Sequence, residues 1–507
     1  MEKTMEKENM MGTMPEGRLL FKLAMPIIFS VLVSSLYNIV DSIFVGRIGQ
    51  RALTAISLGA PISSLMVEIS FGVAIGVNAL LSRKLGEKDN EGVSSVAGQG
   101  FLLMGAVYVL FLVFGLFGVE AFYRIQTNDA EIIALGTQYT KIVTVCSFGL
   151  MLQSLVERLL SSTGRTNGSM AVLLTGAITN LILDPILIFG YLGFPEMGMR
   201  GAAVATVIGQ CAAGAVGMIL NLKRNKEITL KATAFKPDFS MMKEIMVIAI
   251  PTTLTYSIGS ILTFGMNQVL VHLSLAAPAV YVIYNRVRSF AALPVWGIRN
   301  TIISVVAFNM GAGRKDRVRN LIRIALIASA AIMVIGTVLY EAIPGVLLGI
   351  FSASEEMLQI GIPAFRIIGI TLIISGMTIM MSGVFQAMNQ SSKALTVSIV
   401  QAVTLVGSAA LLALTGSICL AWWAFPISEI VIFALSSVFL SGIYRLALSE
   451  DKPSSIRLTE RVWLIICNSS FLLSEQTKSE GMICSYRDMR ICGWSRPFGA
   501  SRRRLNP

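Results

Sequence analysis

Apolar stretches of about 20 residues, separated by short polar connections, follow one another along almost the whole chain. A helix needs about 20 mostly apolar residues to cross a hydrocarbon core of roughly 30 Å. The composition agrees, because 54% of the 507 residues are hydrophobic and only 14% are charged, against about 25% in soluble domains. We therefore predict an all-α polytopic membrane protein with twelve transmembrane helices, at residues 20–46, 53–82, 95–119, 133–160, 169–191, 200–222, 244–271, 277–309, 324–350, 358–387, 394–415 and 417–444.

The basic residues divide unequally between the two sides of these spans. If the N-terminus is cytoplasmic, the cytoplasmic segments up to span 12 hold 21 Lys and Arg and the opposite side holds four. Because basic residues favour the cytoplasmic side, we expect a multi-pass protein of the cell membrane with both termini in the cytoplasm. Anionic lipid also explains the formal charge of +12 better than nucleic acid, which we do not expect as a partner.

The two halves of the chain resemble each other. Three landmarks of the first half recur in the second half at one constant offset: 24–26 as 249–251, Gly72 as Gly297, and Gly86 as Gly311. Two parallel six-span repeats are typical of transporters that work by alternating access, although a duplicated scaffold without transport stays open. The predicted regions are a cytoplasmic N-terminus at 1–19, an N-terminal six-helix lobe at 20–222, a basic cytoplasmic linker at 223–243, a C-terminal six-helix lobe at 244–444, and a basic, disordered cytoplasmic tail at 445–507.

Two spans of the first half carry polar stripes. In span 1, one helical face is polar at positions i, i+3, i+4 and i+7, which are Ser34, Tyr37, Asn38 and Asp41. In span 5, Asn180 and Asp184 lie one turn apart, and Pro185 follows and frees a backbone carbonyl. Since ionisable residues are expensive inside a bilayer, both stripes are candidate functional sites.

Asp41, Asp184 and the hydroxyl of Thr206 in span 6 share one depth, each roughly 9–10 Å below the outer end of its span at about 1.5 Å per residue. Two carboxylates close together in a low dielectric cannot both ionise cheaply, so we expect the pair to take up a proton or a small cation. Oxygen ligands also suit Na⁺, for which Asp41, Asn180 and Asp184 are the candidate ligands. The alternative is that each acid has a separate structural partner.

Other charged residues within the spans leave two interpretations open. Glu68, near the middle of span 2, is either a further proton carrier or bonds a neighbouring span, and Glu157 near the end of span 4 is either functional or reaches the interface. Four more residues either attract ligands or pair structurally: Arg286, Arg288, Arg299 and Glu429. The acid pair itself is not duplicated, since Met266 and Ser408 stand at the corresponding positions.

Several segments resemble the MATE family of multidrug and toxic-compound extrusion transporters, in its bacterial branch with coupling acids in the N-terminal lobe. They are PIIFSVLVSSLYNIVDSIFVG from Pro26, ERLLSSTGRTNGSM followed by NLILDPILIFG, GMRGAAVAT, and FNMGAGRKD. The resemblance implies a V-shaped antiporter that expels organic cations or other amphipathic drugs in exchange for H⁺ or Na⁺. It also implies a cation site at Asp41, Asn180 and Asp184, with Thr206 and Tyr139 as neighbours. The cavity or substrate-binding candidates are Ser34, Tyr37, Asn38, Glu68 and Glu157.

Two other functions are weaker alternatives. A lipid-linked oligosaccharide flippase of the same superfamily would carry a pyrophosphate, which arginines suit: Arg286, Arg288, Arg299 and Arg366. An intramembrane enzyme is disfavoured, because no HExxH or Ser/His motif occurs. We expect a monomeric secondary transporter with no cofactor, H⁺ or Na⁺ as its coupling ion, and small-molecule drugs or organic cations as partners in the lipid bilayer.

Overall fold

Helices make up most of the chain in the computed structural model, which describes residues 9–351 and 353–448 but not the side chain of Asn38. Residues 449–507, which hold almost all of the predicted tail, lie outside this part. The first half contains α1 Met10–Thr13, α2 Glu16–Ile48, α3 Gln50–Gly86, α4 Asn90–Phe117, α5 Val119–Gln126, α6 Ala130–Val145, α7 Phe148–Ser162, α8 Thr166–Phe189 and α9 Met199–Arg224. The second half contains α10 Phe239–Val271, α11 Ala277–Gly311, α12 Lys315–Ala342, α13 Pro344–Gly349, α14 Glu355–Gly369, α15 Leu372–Ala387, α16 Ser391–Ala413, α17 Ile418–Ala421 and α18 Ala424–Ala447.

Within the described residues, ten single helices are long and apolar enough to cross a membrane, and two bent helix pairs bring the number of candidate crossings to twelve, the predicted number. The pairs are α6–α7, bent by 47°, and α14–α15, bent by 56°. The hydropathy pattern predicts each of these spans as one continuous helix, which is wrong for both. Thr144 and Thr371 at the two breaks donate side-chain hydrogen bonds to preceding backbone carbonyls, a contact that bends helices. The two breaks, at 146–147 and 370–371, are 224 residues apart, within one residue of the repeat offset, so the bend belongs to the repeat.

The predicted ninth span, 324–350, is wrong at both ends. The helix begins at Lys315 and ends at Ala342, and residues 344–349 form the separate helix α13. Pro344 cannot donate a backbone hydrogen bond to continue α12, but it fits the first position of the next helix. The apolar run that extends past the proline is therefore not one helix.

The repeated glycines lie where the two lobes touch. Gly86 on α3 packs against the backbone carbonyl of Phe308 on α11, and Gly311 on α11 packs against the carbonyl of Arg83 on α3. A Cβ atom at either glycine would overlap that oxygen. The two contacts are equivalent in the two repeats. They bring the C-terminal ends of α3 and α11 together, just before α4 and α12 begin.

These ends lie on the same face of the bundle as the connection between α9 and α10, and we call this the linker face. Two hydrogen bonds also join the lobes. Ser257 Oγ donates to Glu68 Oε2 at 2.6 Å, and Ser304 Oγ donates to Asn78 Oδ1 at 2.9 Å. Both lobes also hold the N-terminal segment, residues 9–14. Asn309 Nδ2 donates to the Met11 carbonyl at 3.0 Å, and Asn9 Nδ2 donates to the Thr163 carbonyl at 3.3 Å.

Candidate functional site

The first-half acids meet inside the N-terminal lobe, where α2 packs against α8. The carboxyl groups of Asp41 on α2 and Asp184 on α8 lie within hydrogen-bonding reach of each other. Asp184 is fully buried, and Asp41 is half-buried. The structure thus brings together two carboxyls that belong to the first and fifth spans.

A short polar network continues from Asp184 to α9 and α6. Asn180 Nδ2 lies 3.3 Å from Asp184 Oδ1 and 3.3 Å from Thr206 Oγ1, and it can donate to both. Thr206 Oγ1 donates to the Ala202 carbonyl at 3.0 Å, which fixes its rotamer on α9. The Tyr139 hydroxyl, delivered by α6, lies beside the Thr206 hydroxyl. Four helices therefore bring these five residues together in one cluster.

The remaining members of the polar stripe on α2 extend this cluster. Tyr37 lies next to Asp41, Asp184 and Tyr139. Ser34 is half-buried on the same face of α2, one turn before Tyr37. Asn38 lies on this helix too, but its side chain is outside the described part.

Two oxygen atoms of the cluster remain without a hydrogen-bond partner among the described residues. They are Asn180 Oδ1 and Asp184 Oδ2, and both are buried. A buried acceptor without a donor is unfavourable by roughly 1–3 kcal/mol. A proton on the acid pair or a small cation between these oxygens would remove that cost. These oxygen ligands therefore fit either coupling ion.

The other two predicted acids lie elsewhere. Glu68 faces the second lobe, where it accepts the hydrogen bond from Ser257. Glu157 is buried against Arg158, whose Nε lies 3.0 Å from Glu157 Oε2. This local ion pair gives Glu157 a structural partner, and neither acid belongs to the Asp41–Asp184 cluster.

The basic residues of the second half also separate by environment. Arg299 is 2% exposed and donates to Tyr256 Oη at 2.8 Å and Gln386 Oε1 at 2.9 Å. Arg286 and Arg366 are exposed, whereas Arg288 lines a cavity together with Glu429. Among these four arginines, only Arg288 therefore has an environment that resembles a site.

Residues that join the lobes were not predicted from the sequence. Ser257, Asn78 and Ser304 make hydrogen bonds between lobes, but polar residues inside spans are common and their helix rotation is not visible in one sequence. The separation of Asn78 and Ser304 is close to the repeat offset, and that spacing was an available signal.

Two parallel six-span repeats, with a buried acid pair in the first, define a polytopic membrane protein of the transporter type. The profile of the MatE family matches residues 26–186 and 251–411, which together cover more than half of the chain. The two matches are offset by the same interval as the repeated landmarks. The chain belongs to the MatE family, as its sequence motifs indicated.

Relatives and solved structures agree with this assignment. The chain is 25% identical over 451 residues to the multidrug export protein MepA of Staphylococcus aureus strain MRSA252, covering 87% of this chain and 97% of the relative. It is 26% identical over 437 residues to MepA of Staphylococcus saprophyticus, covering 85% and 94%. A crystal structure of MATE in the straight conformation superimposes with a TM-score of 0.79 at 22% identity, covering 85% of this chain and 97% of the other. A MOP superfamily transporter from Pyrococcus furiosus gives a TM-score of 0.78 at 22% identity, covering 85% and 96%.

Proposed function

We propose that the protein is a secondary active antiporter that exports amphipathic or cationic organic compounds in exchange for H⁺ or Na⁺. The observation that carries this proposal is the buried Asp41–Asp184 pair with its two unpartnered oxygens. Relatives that the chain covers almost completely are named multidrug export proteins, which supports a drug-like substrate class.

Coupling follows from competition for the acid pair. A coupling ion that neutralises Asp41 and Asp184 removes the negative charge that would hold a cationic compound in the same lobe. Pro26 interrupts the hydrogen-bond ladder of α2 and Pro185 that of α8, so both helices can bend in response. Exchange then requires only that the ion and the compound stabilise different conformations.

The direction of transport depends on the orientation. We place the linker face in the cytoplasm, because most basic connections lie there. The contacts of Gly86, Gly311 and the N-terminal segment then close the cytoplasmic side. On this assignment the protein is closed to the cytoplasm in this conformation. A bound compound would leave this conformation toward the outside.

The flippase alternative finds less support. Its pyrophosphate cargo would need several free guanidinium groups along one path, but Arg299 is already bonded to Tyr256 and Gln386. Arg286 and Arg366 are exposed on the helix surfaces rather than in one cavity.

Replacement of either acid tests the proposal in cells. We expect Asp41→Asn and Asp184→Asn each to reduce ethidium efflux from drug-sensitive cells to the level of the empty vector, because neither variant retains the paired carboxyls. Glu120→Gln is the matched control, since Glu120 pairs with Arg124 on an exposed helix. Full resistance in both aspartate variants, at wild-type expression, would contradict the proposed role of the pair.

A further inference from the structure

A cavity with three basic residues lies in the N-terminal lobe at the linker face, between the starts of α2 and α8 and the end of α9. Its volume is about 390 Å³, within the range of small-molecule sites. Lys22 comes from α2, Arg165 directly precedes α8, and Arg224 is the last residue of α9. The cavity is separate from the acid pair, because Asp41 and Asp184 lie toward the opposite ends of α2 and α8.

The charge of this cavity is not balanced. Among the described residues no acid lines it, and only Arg165 has an acidic partner, since its Nη2 donates to Glu227 at 2.8 Å. The buried Nε of Arg165 has no hydrogen-bond partner in the described part of the chain. Lys22 and Arg224 form no ion pair with any described residue. These residues thus supply three positive charges and one negative charge, so the cavity attracts an anion.

The basic residues of the cavity are not a requirement of the repeated fold. At the repeat offset, Lys22 and Arg165 correspond to Val247 and Gln390 in the second half. Gln390 directly precedes α16, as Arg165 directly precedes α8, so the two positions match in structure as well. The same helices therefore form without these two charges, which favours a role in binding rather than in folding.

Part of the cavity wall is apolar and adjoins the outer surface of the lobe. Leu23, Leu160 and Leu220 line the cavity beside the basic residues. Phe21 and Ile219, next to lining residues in the chain, are 68% and 50% exposed. The basic residues lie at helix ends or within roughly 9 Å of one, at about 1.5 Å per residue. The cavity therefore spans the depth at which lipid headgroups meet acyl chains.

We propose that this cavity is a regulatory site for an anionic phospholipid. The lipid phosphate accepts charge-assisted hydrogen bonds from Lys22, Arg165 and Arg224, and the acyl chains lie along the apolar surfaces of α2 and α9. A zwitterionic lipid carries its own cation, which the basic residues repel. A free phosphate ion lacks the apolar contacts.

Lipid in this cavity also contacts the segment that joins the lobes. Met10 lines the cavity, and it belongs to the N-terminal segment that both lobes hold. Met10 packs against Gly164 as well, since a Cβ at this glycine would lie 3.5 Å from Met10 Cε. An occupied cavity therefore stabilises the N-terminal segment in its place, and with it the closed linker face. The site acts on the conformation, whichever compound the protein transports.

Native mass spectrometry of the purified full-length protein in detergent tests the site. The probes are phosphatidylglycerol and phosphatidylcholine with identical acyl chains, and the bound fraction of each is measured across a range of concentrations. We expect the wild type to bind phosphatidylglycerol roughly tenfold more tightly, and Lys22→Gln combined with Arg224→Gln to abolish that preference. Lys223→Gln combined with Lys243→Gln is the matched control, because it removes two charges from exposed positions on the same face outside the cavity.

Equal affinity for the two lipids in the wild type would overturn the proposal, as would an unchanged preference in the double cavity variant. Lys22→Arg combined with Arg224→Lys keeps both charges and should keep the preference, which separates lost recognition from misfolding. An excess of inorganic phosphate should leave phosphatidylglycerol bound, and its displacement would show that the site takes a free anion instead.

Thermal unfolding in the same detergent tests the effect on the N-terminal segment. Phosphatidylglycerol should raise the melting temperature of the wild type but not that of the double cavity variant, and an equal rise in both would refute the stabilising role. Neither measurement involves transport, so a failure of the proposed antiport would leave both results decisive for this site.

Discussion

At the scale of single residues, Asp184 is a carboxyl whose burial is energetically unfavourable. It is fully buried in the lobe, it has a second carboxyl beside it, and its Oδ1 receives a hydrogen bond from Asn180 while its Oδ2 has no described partner. A buried ion that lacks partners destabilises a fold unless a counter-charge or a proton arrives. The local environment is therefore suited to a site that fills and empties during a cycle.

Asn180 is the residue that positions the pair. Asn180→Ala removes its hydrogen bond to Asp184 Oδ1 and the contact with Thr206. A lost hydrogen bond to a charged or buried group is worth about 1–3 kcal/mol. We therefore expect the ion concentration that gives half-maximal export to rise roughly tenfold. The measurement is the export rate in vesicles as a function of ion concentration. Asn167→Ala, at an exposed position on the same helix, is the control, and an unchanged ion dependence in Asn180→Ala would refute the positioning role.

At the scale of helices, several ends depend on acidic caps that lie outside the membrane. The hydrogen bond from the Gly92 N–H, together with Lys84 at 3.1 Å, lowers the pKa of the Asp89 carboxyl below its ordinary value. A group with a lowered pKa in the folded state stabilises the fold above its unfolded pKa and loses that effect as the pH falls through the folded value.

Asp89→Asn keeps a good N-cap but removes the titration. We expect the variant to melt below the wild type at neutral pH, because it loses the Lys84 pair, and the difference in melting temperature to disappear as the pH falls below the ordinary aspartate range. Thermal unfolding of both proteins in detergent across that range measures it. A difference that grows toward acid pH would contradict the assigned sign.

The contact between α3 and α11 is a second element-scale test. Gly311→Ala places a Cβ on the Arg83 carbonyl, so the lobes cannot close at the linker face without a backbone shift. Overpacking of this kind typically costs about 1–3 kcal/mol, and we expect a lower melting temperature and reduced export. Gly105→Ala is the matched control, because a Cβ there meets nothing within 4 Å. Equal melting temperatures for the two variants would show that the close approach is not required.

The sequence predicted the number of spans, but not the ends of the ninth span or the internal breaks of two others. Length and hydropathy reveal a crossing because the bilayer demands about 20 apolar residues. They do not reveal a bend such as that between α6 and α7, which depends on where Thr144 directs its hydroxyl. Helix α1 was also missed, since it has four residues and is stabilised by Asn309 of the other lobe rather than by its own pattern.

The same contrast holds for the site. Asp41 and Asp184 could be predicted to meet because their depths match and polar stripes turn away from lipid. The partner of Glu68 could not be predicted, because its identity as Ser257 depends on how α3 and α10 rotate against each other. Tyr139 entered only through the family resemblance, since nothing in its own span marks it.

For the whole molecule, the repeat explains both what the lobes share and how they differ. They share the interlobe glycines and the family match at one repeat offset, and the bent fourth spans within one residue of that offset. They differ in their polar groups, because the first lobe holds the Asp41–Asp184 pair and the second has no carboxyl at the corresponding positions, Met266 and Ser408. One fold can therefore hold different polar groups in its two lobes.

The orientation is a prediction for the whole molecule. In a variant without native cysteines, we expect Glu196→Cys to react with a membrane-impermeant maleimide on intact cells and Lys226→Cys to react only after permeabilisation. Both positions are exposed in connections on opposite faces. The opposite pattern would reverse the assignment of the linker face and the direction of transport with it.

The most direct test of cation-coupled export uses purified protein in sealed proteoliposomes loaded with one fluorescent organic cation. A pH gradient and a sodium gradient are imposed separately, and cation movement is followed for the wild type, Asp41→Asn and Asp184→Asn. Transport driven by one of the gradients in the wild type and lost in both variants is the expected result, because the proposed mechanism has the carboxyl pair bind the coupling ion. Movement that is equal without a gradient, or unchanged in both variants, would contradict the account.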